Sequence, residues 1–226
     1  DVSMDITNFV DGLLIQTNSD GSAPTTGTLS SALANIGIGT DVFKTLTSGD
    51  YNVGIGNESM DALTTGSHNI AIGHDTLSGI VTGDDNICIG QSTGHAITSG
   101  TRNVIIGDLA YDNADTEGSN VAIGADTMTS AVAGGEQNTA VGDSALFSLT
   151  SADQCVAVGY NSGSSITTGG TNTVVGADAG KTISTGGGHT CIGYASGDAV
   201  TTGANSTCLG IHTGGAVTTG SQNTCI

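Results

Sequence analysis

Tryptophan is missing from this 226-residue chain, proline occurs once, and aromatic residues make up 3% of it. A core built on large rings is thereby excluded. Cations are nearly as scarce: Lys44, Arg102 and Lys181 stand against 21 carboxylates, for a net charge of −18. Nucleic acid is excluded as a partner because phosphate binding needs a basic stripe. An anionic membrane surface is disfavoured on the same ground. No run approaches the ~20 apolar residues of a membrane span, and no signal peptide is visible, so membrane insertion is not expected. The five cysteines contain no CxxC, which leaves neither a zinc site nor a redox pair spelled out. They read as small apolar filler.

What the chain has is glycine, 37 of them, and a 36% hydrophobic fraction that is mostly small or β-branched. Such a content argues against disorder despite the charge. It also has a period. An Asn followed by an aliphatic, a small residue, an aliphatic and a Gly returns at Asn52, Asn69 and Asn86. The same Asn place recurs at Asn35, Asn103, Asn120, Asn138, Asn172 and Asn223, with Cys155, His189 and Ser206 taking it in the remaining repeats. Every interval is 17 residues except the one from Asn120 to Asn138, which holds one more. Numbering the Asn as position 1, position 5 is Gly in all eleven complete repeats and position 15 is Gly in nine, Glu117 and Ala152 being the exceptions. Gly at two fixed places marks corners. Position 4 is always aliphatic, and position 12 nearly always, from Leu46 and Leu63 to Val200 and Val217.

No helical stripe of useful length interrupts this pattern. Short strands at fixed spacing with Gly corners predict an all-β parallel β-solenoid of 17-residue coils over residues 35–226, eleven complete and a twelfth truncated. One coil buries too few side chains to offset the ordering of its backbone, so only the stack is stable. Stacked position 1 amides are expected to bond along the axis and satisfy turn backbone. Residues 1–34 leave the register and read as an N-terminal cap or junction. The chain starts at Asp1 without Met and stops four residues into another repeat, as expected of a segment of a longer protein.

Position 3 holds Gly37, Gly54, Ala71, Cys88, Ile105, Ala122, Ala140, Ala157, Val174, Cys191 and Cys208. If positions 2 and 4 point inward, position 3 points outward, yet it is never polar and usually small. A strand apolar on both faces is buried on both, so this column is expected to be a self-interface with another copy.

The runs "NVAIG", "NTAVG" and "NIAIG" resemble the YadA-like head repeat of trimeric autotransporter adhesins. The longer unit, with "TTG" before the next Asn, looks like repeat shafts in tail-fibre proteins of tailed phages. The resemblance covers residues 35–226. It implies left-handed β-rolls packed three side by side as a homotrimer, with small residues at the threefold interface. It also implies an extracellular or virion-surface fibre that attaches to a host-surface glycan or protein.

Chemistry finds little purchase. Asp41, Glu58 and Asp75 occupy position 7 of three consecutive coils. They read as a solvated acidic edge, as a divalent-cation site whose oxygens suit calcium, or as a catalytic carboxylate pair. No cleft-forming insertion accompanies them. The five histidines fall at five different repeat positions with no HxH or HExxH, nothing selects a Ser-His-Asp set, and no cofactor is implied. Thr and Ser pairs such as Thr64-Thr65 and Thr201-Thr202 recur, which suits turns or, alternatively, an ice-binding face. The expectation is a non-enzymatic structural and adhesive rod. A ligand-binding solenoid, for ice or surface polysaccharide, is the alternative, and a polysaccharide depolymerase the more distant one.

Overall fold

A computed structural model describes residues 2–6, 9–17, 30–130 and 135–226. Every regular element among them is a strand, and the fold is a parallel β-solenoid with 17-residue coils. The chain forms two compact units, Asp1–Thr116 and Glu117–Ile226.

The first unit begins with β1 (Val2–Ile6), antiparallel to β2 (Phe9–Thr17), the register shifting between Met4 and Ile6. β2 then turns into a ladder strand. Its Leu13–Thr17 stretch lies parallel to β4 (Ile36–Thr40), with Leu14 opposite Gly37, while β3 (Ala32–Leu33) pairs with Phe9 and Val10. Leu14 is buried, so β2 fills the strand slot of a coil that precedes Asn35. The rest of the segment before that, residues 18–29, lies outside the described residues. Beyond β4 come β5 (Val53–Ile55), β6 (Ile70–Ile72), β7 (Ile87–Ile89) and β8 (Val104–Ile106), one strand per coil in unbroken register.

The second unit repeats the arrangement with β9 (Val121–Ile123), β10 (Thr139–Val141), β11 (Val156–Val158), β12 (Thr173–Val175), β13 (Thr190–Ile192), β14 (Thr207–Leu209) and β15 (Thr224–Cys225). Its strands are parallel and in register throughout. The extra residue between Asn120 and Asn138 does not disturb that register. It is taken up in the loop, where Asn120 Nδ2 donates to the carbonyl of Gly135 at 2.9 Å. Val132 and Gly134 lie outside the described residues, and Gly135 takes the position 15 role in that coil.

The strand covers only positions 2–4, and it faces the opposite way from the expectation. Position 3 points into the coil: Ala71, Cys88, Ile105, Ala122, Ala140, Ala157, Val174, Cys191 and Cys208 are all fully buried within the single chain. A Cβ added at Gly37 would lie 2.7 Å from Leu14 Cδ1 and 2.9 Å from Phe43 Cδ2, and one at Gly54 would lie 2.7 Å from Val42 Cγ2. Positions 2 and 4 point outward instead, with Ile36 41% and Ile192 42% exposed. The small residues at position 3 are small because the interior is shared. Position 9 fills it with Phe43, Met60, Leu77, Tyr111, Met128 and Leu146, and position 12 with Leu46, Leu63, Ile80, Ile97 and their successors. Where position 9 becomes Gly, at Gly180, Gly197 and Gly214, it makes room for Val174, Cys191 and Cys208, whose atoms lie 2.5–2.6 Å from the Cβ each glycine lacks.

The two glycine columns serve different ends. At position 5, φ is +123° to +147°, which only Gly adopts without strain. Space is closed there as well, since a Cβ on Gly73 would sit 2.1 Å from the Gly90 carbonyl oxygen of the next coil. At position 15 the corner expectation is corrected. Gly49, Gly66 and Gly83 show no left-handed φ, but a Cβ on any of them would lie 2.2–2.4 Å from the next coil's Gly oxygen. Close approach, not turn geometry, selects Gly here. The left-handed corners fall at positions 7, 9 and 17 and are mostly not glycine, for example Asp41 (φ 54°), Phe43 (φ 57°) and Tyr51 (φ 57°). Each costs about 1–2 kcal/mol and is held by coil-to-coil bonds, such as Glu58 N–H to Thr40 O at 2.8 Å.

Gly73→Ala is therefore expected to lower stability by about 3 kcal/mol or more, read as the urea midpoint. Glu58→Gly, at a left-handed corner (φ 56°), leaves the midpoint nearly unchanged, because relief of strain is offset by a freer unfolded chain.

Candidate functional sites along the coil

Position 1 carries the most organised polar structure. The Asn side chains make three kinds of bond. The first is an axial ladder in which Nδ2 donates to the Oδ1 one coil before, as from Asn52 to Asn35 at 3.0 Å and from Asn69 to Asn52 at 3.1 Å. In the second, Oδ1 accepts the backbone N–H of the position 1 residue in the next coil: Asn52 to Asn35 at 2.8 Å, Asn69 to Asn52 at 2.9 Å, Asn86 to Asn69 at 3.0 Å, Asn103 to Asn86 at 3.1 Å. In the third, Nδ2 closes its own coil on the position 15 carbonyl, as in Asn35 to Gly49 (2.8 Å), Asn52 to Gly66 (2.9 Å) and Asn69 to Gly83 (2.8 Å). In the second unit, Asn138 donates to Ala152 and Asn172 to Gly186. Asn35, Asn52, Asn69, Asn86, Asn103, Asn120, Asn138 and Asn172 are buried, and Asn223 is half-buried.

The substitutes explain themselves by atoms. His189 Nδ1 accepts Ser206 N–H at 3.3 Å and its Nε2 reaches Gly203 O at 2.6 Å. The imidazole thus acts as acceptor and donor at the two points where an amide would. Ser206 offers Oγ to Asn223 N–H at 3.3 Å. Cys155 bonds Gly169 O only weakly, at 3.5 Å, and Asn172 Nδ2 adds a 2.8 Å bond to that same carbonyl. The buried position 1 side chains are engaged within and between coils, as a structural brace requires.

Asp41, Glu58 and Asp75 stack at position 7, but they do not converge. Asp41 is buried and pairs with Lys44 at 3.6 Å; Asp75 lies 3.2 Å from His95. Among the described residues no group of three or more His, Cys, Asp or Glu could hold a metal ion. The column has a backbone explanation. Position 7 is left-handed in every coil, and Asp and Asn tolerate that conformation better than other side chains, which accounts for Asp41, Asp75, Asp126, Asn161 and Asp178.

One constellation escaped the sequence reading. Ser78 Oγ lies 2.7 Å from His95 Nδ1, the same nitrogen that faces Asp75. Writing the chain in 17-residue rows would have revealed it, since Ser78 and His95 share position 10 in adjacent coils. A proton relay needs Ser and Asp on opposite ring nitrogens, and here both crowd one. Nearby Asp61 and Asp112 are held above the usual carboxylate range, chiefly by burial. Charge adds to this from Glu58 and Asp75 at Asp61, and from Asp75 at Asp112; Lys44 and His95 partly oppose it.

The Thr column is also internally occupied. Thr47 Oγ1 donates to Thr64 O (2.9 Å), Thr64 to Val81 O (2.8 Å), Thr167 to Ser184 O (3.2 Å) and Thr201 to Thr218 O (3.1 Å). Four of the thiols, Cys88, Cys155, Cys191 and Cys208, are buried. Burial pushes Cys88 and Cys155 upward and Cys191 up to about 12. No helix among the described residues is long and apolar enough to cross a membrane.

No protein-family model, curated protein or solved structure matches the chain. The likeness to adhesin heads and tail-fibre shafts therefore rests on the repeat residues themselves.

Asn69→Ala leaves the buried Asn86 N–H and Gly83 carbonyl without their partners. At about 1–3 kcal/mol for each orphaned group, it is expected to lower stability by about 3 kcal/mol, whereas His189→Asn retains or raises it; chemical denaturation measures both. Asp61→Asn is expected to raise the melting temperature at neutral pH. A carboxyl whose folded pKa is raised contributes stability at low pH and loses it as pH rises through that value, so the gain should vanish in acid. A gain that persists in acid would contradict the assignment.

Proposed function

We propose that the chain is a non-enzymatic structural segment of an extracellular or virion-surface fibre, a shaft that works by associating with copies of itself. The observation that carries this reading is the outer strand face. Position 4 is aliphatic in every coil, from Ile38 and Ile55 to Ile192 and Leu209, and it points away from the coil interior. A file of aliphatic side chains kept free of charge, in a chain of net charge −18, calls for a cover. A second copy is the economical cover because an identical repeat matches it coil for coil.

The self-association argument thus survives with the faces exchanged. The contact belongs to positions 2 and 4, not to Gly37, Gly54, Ala71 and the rest of the position 3 column. The apolar strip also shifts sideways along the chain. In the first unit it spans positions 2 and 4, with polar Thr40, Asn57, His74, Gln91 and Asp108 at position 6. In the second, position 2 turns to Thr at Thr139, Thr173, Thr190 and Thr207, while position 6 gains Tyr160, Tyr194 and Ile211, all exposed. Three copies is the number the likeness to adhesin heads and tail-fibre shafts supports. In such a fibre the segment supplies stiff reach toward a host-surface glycan or protein, and its three Lys and Arg leave trypsin few points of attack.

Light scattering on residues 1–226, produced behind a trimerising fusion that is then removed, should give three times the 22.0 kDa chain mass. Ile55→Asp combined with Ile72→Asp should release folded monomer, while Ser67→Asp should not. A well-folded wild-type monomer would overturn the proposal.

A further inference from the structure

Positions 8 and 9 of each corner turn inward, and outside them, at one place in the second unit, lies an open depression of about 320 Å³. Its lining is Ser144, Phe147, Ser148, Asn161, Ser164 and Ser165, from two adjacent coils. Phe147 is the only aromatic residue in the position 10 column, which otherwise runs through Lys44, Asp61, Ser78, His95, Asp112, Thr129, Ser164, Lys181, Asp198 and Gly215. It is 39% exposed, and the fold has no use for a ring pointing out of the coil.

The hydroxyls around it are unspent, in contrast to their counterparts elsewhere. At position 11, Thr45 donates to Asp61 O at 2.7 Å and to Leu63 O at 3.1 Å, and Thr182 donates to Val200 O at 2.9 Å. Ser148 and Ser165 occupy that same position, and together with Ser164 they make no side-chain hydrogen bond among the described residues. All three are half-buried. Asn161 has only a long 3.3 Å bond from Nδ2 to Asp178, which leaves its carbonyl oxygen available. The nearest charges are already engaged: Asp178 pairs with Lys181 at 3.1 Å, and Asp143 accepts Ser144 Oγ at 2.7 Å.

We infer that this depression is a binding site for one uncharged sugar residue, its ring face lying on Phe147 and its hydroxyls meeting Ser148, Ser164, Ser165 and the Asn161 amide. An aromatic plane beside several hydroxyls that both donate and accept fits a molecule that is apolar on one face and hydroxylated at its rim. An uncharged sugar is selected because no free cation stands near to attract an anionic one, and the chain's charge would repel it. The depression is shallow and open, with room for one ring laid against it. The inference goes beyond the shaft reading and does not need it, since these corners lie off the strand face where copies are proposed to meet.

Saturation-transfer NMR on the 226-residue chain, with methyl glucoside, methyl galactoside and methyl N-acetylglucosaminide as probes at millimolar concentration, tests it. At least one probe should receive transfer on its ring protons. Phe147→Ala should weaken that binding by about tenfold, Phe147→Tyr should retain it, and Ser148→Ala with Ser165→Ala should weaken it. Tyr51→Ala, an exposed ring in the first unit, serves as the control and should leave it unchanged. Circular dichroism confirms that each variant is folded, and light scattering on the same samples reports self-association separately. Absence of transfer to all three sugars, or equal transfer to folded Phe147→Ala, would overturn the inference.

Discussion

The bond from a position 1 carboxamide oxygen to the backbone N–H one coil later is the interaction on which the fold depends. It fixes the translation between coils, while the second arm of the same amide closes each coil on its own position 15 carbonyl. One side chain thereby sets both the repeat and the circumference. Glycine accompanies the brace at most coils, since a Cβ on Gly66 would lie 2.3 Å from Gly83 O of the next coil. Ala152, which accepts from Asn138 at 2.9 Å, shows that the amide bond itself tolerates a side chain there. Buried amides bonded on both sides carry little net gain each but a heavy cost if orphaned, so the ladder acts more as a specifier of register than as a store of stability.

Once register is fixed, the interior is filled by trade between columns. A coil with Phe43 at position 9 carries Gly37 at position 3, and the coil with Gly180 carries Val174. The aliphatic side chains on the outer strand face take no part in this exchange. Their regularity, most uniform at position 4, answers to something outside the coil. That separation is what gives the self-association proposal its force: side chains that the coil itself does not need are kept apolar in every repeat.

Much of this was legible before any coordinates. Twelve position 1 residues in register and an invariant Gly at position 5 identify stacked coils, and the Asn column identifies their brace. Thr173, Thr190 and Thr207 at position 2 of the second unit mark their side of the strand as the outer one. In the first unit the facing was hidden, for a definite reason. A three-residue strand presents one residue to one side and two to the other, and alternation reveals which is inside only when one set is polar. Ile70, Ala71 and Ile72 are apolar on both sides, so the period is plain and the direction hidden. The left-handed corners were equally hidden, because Phe43, Met60 and Leu77 are residues that seldom adopt them. Only the demand that position 9 turn inward explains their presence there. Asp41 and Asp75, which looked like ligands, are readable in retrospect as corner residues. The Ser78, His95 and Asp75 cluster, and the depression beside Phe147, require knowing which coils are neighbours at the corner, information the repeat contains only once its register is laid out row by row.

Hydrogen exchange on the position 1 backbone amides tests the central claim most directly. These N–H groups lie at the edge of the short strands, and their protection depends on the side chain one coil before. The account predicts that the amides of Asn52, Asn69, Asn86 and His189 exchange among the slowest in the chain, as slowly as those of the strand residues Ala71 and Cys88. Exchange at the rate of open corner amides would show that the ladder does not hold the coils in register, and the account would be wrong at its base.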